Sequence, residues 1–90
     1  MKSFEATFGI PAQHRLVLVR SRIRGGSARN ESWEHEEFNT LGLLVARYES
    51  FTELDPATGA MQSGWFRYDA DGFLIDRHEQ IAEPLGDLFA

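Results

Sequence analysis

The sequence predicts an all-β domain: an antiparallel meander of five or six strands, built on two similar hairpins and followed by a short C-terminal helical turn. Three observations lead there. First, EFNTLGLLVARYE (37–49) and RYDADGFLIDRHE (67–79) align at a constant offset of thirty residues, matching Phe38 with Tyr68, Asn39 with Asp69, Gly42 with Gly72, Leu44 with Leu74 and Arg47 with Arg77. Second, β-branched and aromatic residues gather in short runs. Third, Gly, Pro, Asn and Asp punctuate those runs at strand-length spacing.

In chain order, KSFEATFG (2–9) is expected as a first strand, ended by Pro11. RLVLVRSRIR (15–24) is a β-branched run, and GGSARN (25–30) is a loop. SWEHEEF (32–38) alternates moderately; Asn30 could instead cap a helix over 31–37, but the match to the second copy favours a strand. LLVARYESFTEL (43–54) is a long strand, DPATGA (55–60) a turn and MQSGWFRY (61–68) the next strand. In each repeat, Asn39 or Asp69 can accept a hydrogen bond from a backbone N–H two residues on. Gly42 or Gly72 then takes the left-handed conformation of a type I turn with a G1 bulge. In the tail, Ile81, Leu85, Leu88 and Phe89 fall at helical spacing, interrupted early by Pro84.

Tight pairing around each turn divides the sheet residues into two faces. Val17, Val19, Ile23, Phe38, Leu44, Tyr48, Phe66, Tyr68 and Leu74 form the expected core face. The second face carries Arg20, Arg22, Trp33, His35, Glu37, Arg47, Glu49, Trp65 and Arg77, among Leu16, Leu18, Val45 and Ile75. Arg77 should lie across from Trp65, and His35 across from Arg47.

Ninety residues make one domain, spanning 1–90. A chain this short buries only about 60–65% of its unfolded surface, so a homodimer would be a natural way to bury more. Without cysteine there is no disulfide framework, thiolate nucleophile or thiolate metal site. A net charge of −5 disfavours non-specific nucleic-acid binding. No apolar run reaches membrane-spanning length, and MKSFEATFGI lacks the apolar core of a signal peptide, so the expected compartment is the cytoplasm.

The segment GAMQSGWFRYDADGFL (59–74) resembles the choline- or glucan-binding cell-wall repeats, which join a Gly-Trp to an aromatic-Asp-x-x-Gly hairpin. The resemblance covers under a fifth of the chain. In that family the sites lie between many tandem copies; two copies here carry over only the hairpin.

The expected function is that of a small non-enzymatic accessory module that binds another protein. Trp33, His35, Arg47, Trp65, Arg77, Arg20 and Arg22 are the candidate contacts, because Trp and Arg bury much area and still hydrogen-bond. No catalytic residue, cofactor or metal ligand is assigned: His14, His35 and His78 show no HxH or HxxxH spacing, and Gly25–Gly26 lacks a phosphate-loop lysine. Two alternatives stand beside this. One is a ligand-binding or catalytic pocket between sheet and C-terminal segment using His35 and Arg47. The other is an accessory RNA binder using the Arg15–Arg29 stripe.

Overall fold

The computed structural model describes residues 3–24, 29–55 and 57–82. The chain is mostly β. A short helix, α1 (Phe4–Phe8), precedes strands β1 (Arg15–Arg24), β2 (Arg29–Phe38), β3 (Leu44–Leu54), β4 (Met61–Asp69) and β5 (Leu74–Ala82). The strands form one antiparallel sheet in sequence order. Residues 31–37 are strand. The expected C-terminal helical turn lies outside the described residues.

The two repeated hairpins close in the same way. The Asn39 side-chain oxygen accepts from the Leu41 and Leu43 N–H groups at 2.9 and 3.1 Å. Asp69 Oδ1 accepts from Asp71 and Phe73, both at 2.9 Å. The Gly42 N–H donates to Asn39 O, and the Gly72 N–H to Asp69 O, each at 3.0 Å. Both glycines have positive φ, 77° and 92°, a conformation that costs a residue with a Cβ.

Past each turn, a bulge inserts one further residue. Phe38 faces Leu44, but Glu37 faces Ala46, so Val45 is extra. Tyr68 faces Leu74, but Arg67 faces Asp76, so Ile75 is extra. A third bulge falls at Val19, between the Leu18–His35 and Arg20–Glu34 pairs. Because side chains alternate with period two, a one-residue shift exchanges faces for everything beyond it.

The expected division of faces is corrected accordingly. His35 faces Tyr48 rather than Arg47, and Trp65 faces His78 rather than Arg77. Trp33, His35, Glu37, Ala46, Tyr48, Ser50, Trp65 and His78 therefore share one face. Arg20, Arg22, Glu34, Glu36, Arg47, Glu49, Phe66, Tyr68 and Arg77 share the other. Of the expected core residues only Tyr48 is buried; Val17, Val19, Ile23 and Leu74 are exposed.

The expected N-terminal strand is also corrected: residues 4–8 are helical. Ser3 is the N-cap, its Oγ accepting from the Ala6 N–H at 3.2 Å. Gly9 (φ 71°) ends the helix in the left-handed conformation. Gly9 N–H donates to Ala6 O, and Ile10 N–H to Glu5 O, the nested pair of a Schellman motif. Five residues cannot hold a helix alone. Phe4 and Phe8, one turn apart on the same side, anchor it to the sheet. Phe8 stacks on Tyr48 (ring centroids 4.3 Å, planes 10° apart) and meets Trp65 edge-on at 5.2 Å. Phe4 lies 4.3 Å from His35 and 5.5 Å from Trp33. The core is Phe8, Ala46 and Tyr48, with Phe4, Ile10, Leu16 and Trp65 packed around it. Burying Phe8 contributes about 1.5–3 kcal/mol.

Candidate functional site: an aromatic groove beside the helix

On the helix side, one row of the sheet reads Trp33, Ser50, Trp65, His78 across β2, β3, β4 and β5. The two indoles stand two strands apart, with backbones roughly 10 Å from each other, and only the small Ser50 between them. Phe4 leans on Trp33 and Phe8 on Trp65, closing one end of the slot. His78 stacks on the far side of Trp65, with centroids at 4.3 Å and planes 24° apart. Away from the helix the floor turns polar, with Thr52, Ser63 and Gln80. Together these residues line an open groove of about 670 Å³. Ser50 is 7% exposed, and its Oγ has no hydrogen-bond partner among the described residues. A buried hydroxyl without a partner costs free energy.

Beside the groove lies a buried polar cluster. Tyr48 Oη donates to Glu37 Oε1 at 2.6 Å, and His14 Nδ1 lies 2.5 Å from Glu37 Oε2. Glu37 is 1% exposed, so its carboxylate needs both partners. Burial first, and the bond to Glu37 second, push the Tyr48 hydroxyl well above the usual tyrosine range. The cluster ties the segment before β1 to β2 and β3. The contact also fixes the orientation of the His14 ring, with Nδ1 turned inward to Glu37.

His35 is buried under Phe4 and Phe8, with Nδ1 unpartnered among the described residues. Burial lowers its pKa, against a smaller opposing pull from Glu5. It is a neutral core imidazole rather than an exposed contact.

Of the seven residues singled out in the sequence, Trp33, His35 and Trp65 come together on the helix side. Arg20, Arg22, Arg47 and Arg77 lie on the opposite face. Arg47 Nε pairs with Glu36 Oε2 at 3.4 Å, and Arg20 faces Glu34. His35 and Arg47 both border a shallow, open depression of about 510 Å³, with Glu34, Glu36, Glu49 and Tyr68 around it; the C-terminal segment expected to cover it lies outside the described residues. In the Arg15–Arg29 stripe, the Arg15 guanidinium sits 5.5 Å from the Phe38 ring centroid. Among the described residues no group of three or more His, Asp or Glu side chains could hold a metal ion. No helix there is long and apolar enough to cross a membrane.

Ser50, the Glu37–Tyr48–His14 cluster and the two helix phenylalanines escaped the sequence reading. Phe4 and Phe8 carried a signal, being spaced i, i+4 between a capping serine and a glycine. Ser50 carried none, because its importance comes from lying between two tryptophans on neighbouring strands.

No protein-family model matches the chain, and neither do the curated proteins or the solved structures searched.

Proposed function

We propose that the chain is a cytoplasmic, non-enzymatic accessory module that binds another protein, and that the groove beside α1 is its docking site. The reading rests on one observation: beside the helix, two half-buried tryptophans flank a buried serine hydroxyl that has no partner among the described residues, at an open groove. Large aromatic anchors around a small polar group are the composition of interface hot spots. A large apolar side chain of the partner fits between Trp33 and Trp65. The hydroxyl and amide groups of Thr52, Ser63 and Gln80 would hydrogen-bond the partner's backbone.

Photo-crosslinking in the native host tests this. A benzophenone amino acid at Thr52 or Gln80, on the groove, should yield one defined protein adduct, and the same probe at Arg77, on the opposite face, should not. Adducts only from position 77, or none from the groove, would overturn the assignment.

A further inference from the structure

The two edges of the sheet differ in chemistry. The middle of β5 is Asp76, Arg77, His78, Glu79 and Gln80, the mixed polar composition that guards an edge against stray pairing. β1 instead carries four successive apolar residues, Leu16 to Val19. Val17, Leu18 and Val19 are 37%, 52% and 51% exposed, and Ile23 is 69% exposed. Its only strand neighbour is β2, so among the described residues its outer N–H and C=O groups pair with no strand. The two faces of β1 are also distinct. Arg15, Arg20 and Arg22 lie on the open face with Val17, and Leu16, Leu18 and Ile23 lie on the helix side.

We propose that β1 is a strand-addition site for an extended segment of another protein that alternates acidic and apolar residues. The acids would face Arg20 and Arg22, and the apolar side chains would pack beside Leu18 and Ile23. Main-chain hydrogen bonds supply affinity in such additions, and alternate side chains supply selectivity. The bulge at Val19 twists the edge and favours a short added strand. A second copy of β1 is the wrong occupant. Two-fold antiparallel pairing would bring the row of Arg15, Arg20 and Arg22 against itself, and directly opposed like charges destabilise a sheet. The same arginines that forbid self-pairing select an acidic strand. The site is separate from the groove beside α1 and does not depend on it.

Titrating the full chain with a capped Glu-Val-Glu-Val-Glu-Val-Glu peptide, followed by amide NMR shifts, tests this. Saturable shifts confined to β1 and the facing part of β2 are expected. The double variant Arg20→Glu/Arg22→Glu should bind at least about tenfold more weakly, a loss of about 1.4 kcal/mol. That variant should gain affinity for the corresponding Lys-Val peptide, which shows that it remains folded and competent. Shifts centred on β5 or on Trp65 and Ser50, no saturable binding, or equal binding of the Lys-Val peptide to the native chain would overturn the proposal. So would a dimer in sedimentation equilibrium that Leu18→Lys dissolves, because β1 would then be covered by a second copy. The groove reading survives all of these outcomes, since its crosslinking positions lie on β3 and β5.

Discussion

The hairpins β2–β3 and β4–β5 share turn hydrogen bonds, turn glycines and a bulge at equivalent positions, Val45 and Ile75, yet they reach different environments. The first lies in the middle of the sheet under α1, where Ala46 and Tyr48 are almost wholly buried. The second ends at the sheet edge, and β5 is exposed from Leu74 to Gln80. Turn chemistry is local and sets which residues face each other. Burial is set by the neighbours a strand acquires, and here by two phenylalanines from a five-residue helix.

Removing the bulges should separate the two hairpins most strongly. Deleting Val45 would shift β3 by one residue and turn Ala46, Tyr48 and Ser50 to the open face. A small domain has only several kcal/mol of stability, so this variant should be unfolded at room temperature by circular dichroism. Deleting Ile75 shifts only the exposed edge strand, and should leave a cooperative transition with a loss of about 1–2 kcal/mol in urea denaturation. Equal effects would mean that the bulges do not decide which face is covered.

A tyrosine in each hairpin sharpens the contrast. Tyr48 Oη donates to buried Glu37 at 2.6 Å, and Tyr68 Oη to Glu49 at 3.1 Å near the surface. Tyr48→Phe leaves a buried carboxylate oxygen unpaired and should cost about 2–3 kcal/mol. Tyr68→Phe should cost about 0.5 kcal/mol or less by the same urea measurement.

The turns themselves should not differ. Asn39→Ala and Asp69→Ala each remove two side-chain to backbone hydrogen bonds at exposed sites, and each should cost about 1 kcal/mol. A large difference would show that the shared turn geometry does not carry equal weight.

The smallest effect concerns pH. His35 in the first hairpin is buried and its pKa is lowered from 6.5. Its contribution to stability is therefore complete above the unfolded value, and is lost as pH falls below 6.5 through the folded value, where the unfolded chain binds the proton more readily. The thermal midpoint should drop from pH 7.5 to pH 5, and His35→Phe should flatten that part of the profile.

Strand identity and the turns were legible because β-branched runs and Asx–Gly spacing are local signals. Val45 and Ile75 look like ordinary strand residues, and nothing in a bulged residue's own chemistry announces that it is extra. The register expected beyond each turn was therefore one residue off, which placed Arg47 and Arg77 beside His35 and Trp65. Trp33 and His35 could be grouped correctly because strand alternation alone relates them. The helix was legible in principle: Ser3, Glu5, Gly9 and Pro11 mark its start and stop. The alternating Phe4-Glu5-Ala6 pattern competed with those signals, and a helix this short has little periodicity to set against it. The groove was half legible, its tryptophans visible and its serine not.

The most direct test is a nuclear Overhauser spectrum of the folded chain. The bulged register predicts cross-strand contacts from His35 to Tyr48 and from Trp65 to His78, with the indoles of Trp33 and Trp65 close to the rings of Phe4 and Phe8. Contacts from His35 to Arg47 and from Trp65 to Arg77, with both indoles remote from the helix, would contradict the account.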